Sequence, residues 1–60
     1  MTPREFKRLR KEAGFSLRKL SAVMAVHKST IVQWQSGRAR IPEARARQIR
    51  LLHVEALKSQ

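Results

Sequence analysis

The chain has no cysteine and no tyrosine among its 60 residues, and only four acidic residues, two glycines and two prolines. Without cysteine, neither a disulfide nor a thiolate metal site can stabilise it, and its composition is compatible with a reducing cytoplasm, where we expect it to act. No apolar run is long enough to span a bilayer, and no apolar export signal follows Met1. Sixty residues suffice for one domain, residues 1–60, which buries only about 60% of its unfolded surface and is marginally stable.

Positive charge dominates what is present. Fourteen lysines and arginines face the four acidic residues and give a formal net charge of +10 at pH 7. Apolar residues interleave these cations at helical spacing, so the cations belong to a folded domain rather than to a basic tail. Such a charge predicts a polyanionic partner, usually nucleic acid. A membrane surface that binds Arg45–Leu57 as a cationic amphipathic helix is a competing interpretation.

Start and stop signals predict a first helix over Met1–Ala13. Thr2 is suited to cap it, Pro3 suits the first helical position, and Gly14 is a good stop. Three further helices are predicted at residues 17–24, 28–35 and 42–57. No strand pattern occurs, so the sequence predicts an all-α fold.

The second helix follows Ser16 as its N-cap, and His27 takes the same position before the third. Ile31 and Trp34 are expected to point inward from the third helix. The last helix, which Pro42 opens, has a predicted core-facing stripe that consists of Ala46, Ile49, Leu52, His53, Ala56 and Leu57.

A set of small, apolar and capping residues stands at Gly14-Phe15-Ser16, Leu20, Met24, Val26, Ser29-Thr30-Ile31, Trp34 and Gly37. In type and spacing this set resembles the lambda-repressor-like (Xre/Cro-type) helix-turn-helix family, over roughly residues 6–57 and without an insertion. The resemblance implies a compact four- to five-helix domain that places its third helix in the DNA major groove. It also implies a homodimer on a near-palindromic operator.

The chain departs from that family's pattern at several positions. Leu17 stands where glutamine is common, which removes a side-chain contact but leaves a backbone N–H. Ala25 replaces the turn glycine, and because alanine tolerates positive φ poorly, a tighter and more helical turn is expected. Gln35 replaces a glutamate that pairs with an arginine in helix 1, so only a hydrogen bond to Arg10 is expected. His27 replaces Ser or Thr, which indicates a role other than capping.

The outer side of the third helix is expected to read base edges through Lys28, Ser29, Val32 and Gln33. Lys28 can donate to guanine O6 and N7, Gln33 can form a bidentate pair with adenine, and Val32 can touch a thymine methyl group. Ser29 is an ambiguous reader. A solvated polar face without a partner is the alternative interpretation.

A second set is expected to contact phosphates: the backbone N–H of Leu17 and the side chains of Arg18, Lys19, His27, Arg38 and Arg40. Arg18 and Lys19 oppose the dipole at the start of the second helix, and an arriving phosphate offsets this repulsion. An exposed histidine without a role is the alternative for His27. His27 and His53 lack partners at ligand spacing, so no metal site is predicted.

Leu51 and Val54 lie off the core-facing stripe, where the last helix of a monomer should face water. They suggest a homodimer interface, although scattered exposed apolar residues are common. A two-fold pair would set its recognition helices about 34–36 Å apart.

Together these features predict a sequence-specific double-stranded-DNA-binding transcriptional regulator. By analogy with other small stand-alone proteins of this kind, we expect a small autorepressor of a phage, plasmid or toxin–antitoxin-type operon. The alternative is an antitoxin-like protein-interaction module with only non-specific DNA affinity. No acidic pair, cysteine or Gly-rich phosphate loop indicates an enzyme, and no cofactor, small-molecule ligand or membrane partner is expected. Met1 and the polar end at residues 58–60 favour a natural full-length chain.

Overall fold

Four α-helices and no β-strand make up residues 1–59, the part of the chain that the computed structural model describes. They are α1 (Pro3–Glu12), α2 (Leu17–Met24), α3 (Lys28–Ser36) and α4 (Glu43–Lys58). The all-α class is confirmed, and α1 begins two residues later than expected. Gln60, the last residue of the expected domain, lies outside the described residues. No described helix is both long and apolar enough to cross a membrane.

Side-chain caps begin the first three helices. Thr2 and Ser16 each accept the backbone N–H three residues further on, both at 3.1 Å. His27 accepts the backbone N–H of Ser29 on Nδ1, also at 3.1 Å. These bonds satisfy N–H groups that have no acceptor within the helix. His27 therefore caps α3, with its ring nitrogen in the place of a Ser or Thr hydroxyl, and a further role for it stays a prediction.

A common pair of closing hydrogen bonds ends α1, α2 and α3, around a left-handed residue at Gly14, Ala25 and Gly37. At the end of α2 the N–H of Val26 donates to the carbonyl of Ser21 at 3.0 Å, and Ala25 has φ +57°. The expected helical geometry at Ala25 is therefore wrong. Both closing bonds require a left-handed residue, and they outweigh its steric strain of about 1–2 kcal/mol.

The core draws on all four helices and the loop before α4: Phe6, Leu9, Leu20, Met24, Ile31, Trp34, Ile41, Ala46 and Ile49. Within it α1 packs against both α3 and α4, and α2 packs against α3. The rings of Phe6 and Trp34 meet edge to face with centroids 5.7 Å apart, a favoured aromatic arrangement. Because one side of α3 is held in this way, its opposite side has a fixed direction toward solvent.

The predicted stripe on α4 is only partly correct. Ala46 and Ile49 are buried, and Leu52, His53 and Ala56 are half-buried. Leu57 is 47% exposed and does not belong to the core. The reason is the length of the neighbouring helix. His53 already pairs with Glu12, the last residue of α1, so the following turn of α4 extends past the end of that helix.

Candidate nucleic-acid interface

The two sides of α3 differ sharply in burial. Ile31 and Trp34 are 0% and 5% exposed, as predicted. The side chains that the sequence assigned to base reading are all exposed: Lys28, Ser29, Val32 and Gln33. Their spacing places them on the first two turns of one helix face. The structure thus brings these four residues together on the exposed side of α3, opposite the side that is buried in the core.

Lys28 on this face and four further exposed cations, at the start of α2 and in the loop after α3, make up what we call the cationic surface: Arg18, Lys19, Lys28, Arg38 and Arg40. Residues 13–42 contain no acidic residue at all. Within residues 1–59 each ion pair uses a carboxylate of α1 or α4: Arg8–Glu12, Arg50–Glu5, Arg47–Glu43 and His53–Glu12. None involves the cationic surface, so its side chains can contact phosphates without first breaking an ion pair.

The start of α2 supplies one part of this surface. Leu17 is half-buried against the core, which fixes the first turn of α2. The ammonium of Lys19 lies 6.0 Å from the centroid of the Phe15 ring, at the outer limit of a cation–π contact. Arg18 is exposed beside it. The backbone N–H groups of this first turn and the two cations therefore lie together at a helix start that is anchored to the core. Such a helix start can bind a phosphate.

The start of α3 supplies His27 and Ser29, which are both exposed. The imidazole Nδ1 is 3.1 Å from the backbone nitrogen of Ser29 and 2.8 Å from its Oγ. A neutral imidazole that accepts at Nδ1 has its hydrogen on Nε2. The predicted hydrogen bond from His27 to a phosphate would therefore be donated by Nε2–H.

The loop after α3 supplies Arg38 and Arg40. The backbone N–H groups of Arg38 and Ala39 both donate to the carbonyl of Gln33, at 3.0 and 3.1 Å. Ile41 is buried in the core and Ala39 packs against it. The loop is thus fastened to the end of α3 on one side and to the core on the other, and Arg38 and Arg40 are both exposed on it.

Sequence reasoning missed the role of Arg45. Its guanidinium Nη1 donates to the carbonyl of Met24 at 2.8 Å and to Gln48 Oε1 at 2.9 Å. The first bond ties α4 to the end of α2, immediately before the left-handed turn at Ala25. No local pattern marks a contact across 21 residues. A cation in the first turn of a helix, where the helix dipole disfavours it, was the one available signal.

The expected hydrogen bond between Gln35 and Arg10 does not form. Arg10 is buried and its Nη1 donates instead to the carbonyl of Phe15, at 2.9 Å. Arg10 Nε and Gln35 Oε1 are buried without partners within residues 1–59. The prediction was wrong because the carbonyl before α2 takes the guanidinium, which links the end of α1 to the start of α2.

His53 joins α1 and α4 away from the cationic surface. Its Nε2 lies 2.8 Å from Glu12 Oε1, and Arg8 pairs with the same carboxylate at 3.2 Å. The hydrogen bond from His53, followed by that from Arg8, holds the pKa of Glu12 below its ordinary value of 4.5. His53 therefore lies half-buried at the boundary between α1 and α4.

The candidate dimer residues Leu51 and Val54 are 59% and 45% exposed. Leu57, which was expected in the core, continues them at the same three-residue spacing, so the apolar stripe on the outside of α4 is one residue longer than predicted. No protein-family model matches the chain, and no curated protein or solved structure shows a significant match to it.

Proposed function

We propose that this chain is a sequence-specific double-stranded-DNA-binding protein of the lambda-repressor-like (Xre/Cro-type) helix-turn-helix kind. In this proposal α2, the turn at Ala25 and α3 form the DNA-binding unit, and α3 lies in the major groove. The observation that carries the proposal is the cationic surface: exposed cations at the start of α2, on α3 and in the loop after α3, in a stretch of the chain, residues 13–42, that contains no carboxylate. A domain that binds a polyanion in a fixed orientation needs such a surface.

Each exposed residue of α3 has a role in this proposal. Lys28 donates to guanine O6 and N7, Gln33 pairs with adenine, and Val32 packs against a thymine methyl group. Ser29 contacts a further base edge. The phosphates on either side of the groove are held by the Leu17 N–H, Arg18, Lys19, His27 Nε2–H, Arg38 and Arg40. Phosphate contacts fix the register of the protein, and the base contacts select the sequence.

The regulatory role that fits such a protein is occupancy of an operator. A small autorepressor in the cytoplasm, associated with the nucleoid, blocks transcription while it remains bound and responds to its own concentration. Phage, plasmid and toxin–antitoxin-type operons are the settings in which we place it by analogy. The proposed role is binding rather than catalysis.

The proposed DNA-bound form is a homodimer on a near-palindromic operator. Leu51 and Val54, continued by Leu57, supply the apolar stripe through which a second copy would pack. Sedimentation equilibrium with and without duplex DNA tests this, with Leu51→Glu as the disruptive variant. A monomer mass at every concentration, both free and on DNA, would contradict the proposed homodimer.

The same stripe favours a second candidate, a protein-interaction module that binds another protein through α4 and has only non-specific affinity for DNA. The two candidates differ in one measurable property. A specific DNA-binding protein selects a sequence, whereas the interaction module binds all duplexes equally.

Selection of bound sequences from a random duplex pool at about 150 mM salt tests the proposal, because non-specific affinity is weak there. We expect a near-palindromic motif, and Lys28→Ala and Gln33→Ala should each relax the base preference at a position in each half-site. Lys58→Ala, which removes an exposed cation at the end of α4, is the matched control and should leave the motif unchanged. Uniform enrichment, or none, would overturn the proposal in favour of the interaction module.

A further inference from the structure

His27 and Ser29 form a closed pair at the start of α3. One ring nitrogen, Nδ1, lies within hydrogen-bond distance of two groups of Ser29, the backbone nitrogen at 3.1 Å and Oγ at 2.8 Å. A backbone N–H can only donate, so Nδ1 has to be the lone-pair nitrogen of the ring, and the ring hydrogen is on Nε2.

This tautomer determines the direction of the second bond. Because Nδ1 carries no hydrogen, the contact to Oγ is a hydrogen bond only if the hydroxyl of Ser29 donates. A serine hydroxyl has one hydrogen and two lone pairs. With its hydrogen directed back at His27, Ser29 presents only lone pairs to a ligand on the exposed face of α3.

We propose that His27 is a positioning residue that makes Ser29 an obligate hydrogen-bond acceptor, so that Ser29 selects an exocyclic amino group. This inference rests on the proposed function, since it names the base chemistry that one residue of α3 recognises. In the major groove the donors are the N6 amino group of adenine and the N4 amino group of cytosine. Guanine and thymine present acceptors at the corresponding edge, and an acceptor-only serine rejects them.

No charged group of the neighbouring elements draws the ring hydrogen of His27 onto Nδ1. Lys28 follows it on α3, Arg45 of α4 is engaged with the carbonyl of Met24, and the charged residues of α2 are Arg18 and Lys19. All are cations that cannot accept a hydrogen bond, and residues 13–42 contain no carboxylate. The hydrogen therefore stays on Nε2, and Nδ1 keeps its lone pair for Ser29.

The first experiment is independent of DNA. Nitrogen NMR of the ¹⁵N-histidine-labelled protein at about pH 8 distinguishes a lone-pair nitrogen from one that carries hydrogen, and neutral imidazole is the form of interest. We expect the lone pair of His27 on Nδ1, in the wild type and in Ser29→Ala, where the backbone bond remains. Hydrogen on Nδ1 of the wild type would overturn the inference, whatever the protein binds.

The second experiment repeats the sequence selection with three variants. Ser29→Ala identifies the position that Ser29 reads, as the position whose preference it abolishes. His27→Gly keeps an acceptable N-cap but frees the hydroxyl, so the preference for adenine or cytosine there should fall from roughly fivefold, the contribution of one hydrogen bond, to about one. His27→Asn provides another acceptor at the cap and should retain the preference. Circular dichroism checks that each variant remains helical.

The outcomes separate this inference from the proposed function. A motif that is unaltered by Ser29→Ala, a wild-type preference for guanine or thymine at that position, or a preference that survives His27→Gly would each overturn the inference and leave the proposed function standing. No motif for the wild type would overturn both. A purely structural role for His27 would weaken binding to every sequence alike, whereas the inferred role changes the preference at one position in each half-site.

Discussion

At Gly14, Ala25 and Gly37 the backbone has the same left-handed conformation, and within residues 1–59 only Ala25 has a Cβ there. Glycine takes this conformation without steric strain, whereas an L-residue is destabilised by about 1–2 kcal/mol. The turn before α3 therefore stores strain at one residue. The closing hydrogen bonds of α2 and the bond from Arg45 to the Met24 carbonyl hold the strained turn in place.

Ala25→Gly should raise the free energy of unfolding by about 0.5–1 kcal/mol, because the steric strain is removed and part of the gain is lost to the greater freedom of unfolded glycine. Urea denaturation followed by circular dichroism measures this. Ala22→Gly, an exposed change inside α2, is the matched control and should destabilise by about 1 kcal/mol. Equal destabilisation by both changes would contradict the assigned strain.

Local sequence signals predicted the hydrogen bonds of some residues but not those of others. The caps at Thr2 and Ser16 follow from the sequence because each bond spans three residues. The bonds of Arg10 to Phe15 and of Arg45 to Met24 depend on where other helices lie, which no periodicity reveals. For Ala25, the sequence shows the strain of a left-handed alanine but not the tertiary contacts that outweigh it.

At the scale of elements, α2 is attached to the rest of the fold mainly through α3, and the Arg45 bond is a separate link to α4. This link acts on the last carbonyl of α2, next to the turn that determines how α2 and α3 meet. It therefore controls the geometry of the proposed DNA-binding unit from outside the interface.

Arg45→Ala should lower the free energy of unfolding by about 1–2 kcal/mol, because a half-buried carbonyl loses a charged donor. It should also weaken DNA binding without changing which bases are preferred. Arg47→Ala removes an exposed arginine of the same helix whose contact to Glu43 is 3.9 Å, and it should change stability by no more than about 0.5 kcal/mol. Chemical denaturation compares the two, and equal stability of both variants would show that the Arg45 bond contributes nothing.

A second link between elements, from Glu12 to His53, joins α1 to α4. The folded-state pKa of Glu12 is lowered by its hydrogen bonds to His53 and Arg8. A carboxyl group with a lowered folded-state pKa stabilises the fold above its unfolded pKa, and this contribution is lost as the pH falls through the folded value.

Glu12→Gln should therefore lower the melting temperature at pH 6, and the difference from the wild type should shrink as the pH falls below about 4.5. Thermal melts from pH 6 to pH 3 measure it. Glu55→Gln, an exposed change on α4 at a carboxylate without an ion pair in the described residues, is the control and should show little difference at any pH. A Glu12→Gln difference that is the same at pH 6 and pH 3 would contradict the link.

The register of α4 illustrates how far periodicity reaches. It correctly predicted that Ala46 and Ile49 are buried and that Leu51 and Val54 are not, because a helical period determines the side of a residue. It failed at Leu57 because the period does not reveal where the neighbouring helix ends. The exposed side of α3 was predictable because a helical period determines it too. The base contacts assigned to that side stay predictions.

At the scale of the whole molecule, the carboxylates are unevenly distributed along the chain. Residues 13–42 contain five cations without a carboxylate, and the rest of the chain contains nine cations with all four carboxylates. Three of those carboxylates are engaged in ion pairs on α1 and α4. Phosphate binding should therefore depend mainly on the cationic surface.

The affinity for the selected operator should fall steeply with salt, with a logarithmic slope of about −0.9 for each phosphate contact. Arg38→Ala and Arg40→Ala should each reduce that slope by about one unit per protomer and weaken all sequences alike. Lys58→Ala provides a control of equal charge change and should leave the slope unaltered. Fluorescence anisotropy between about 50 and 200 mM salt measures these slopes. Equal slopes for all three variants would remove Arg38 and Arg40 from the phosphate contacts.

The position of α1 has a consequence for synthesis of the protein. Of the four helices this one is made first, yet it packs against α3 and against α4, which is made after the other three. A nascent chain without α4 lacks Ala46 and Ile49 and cannot close the core around α1. This core must therefore wait until α4 has been made, and until then the apolar side of α1 is open to chaperones and to aggregation.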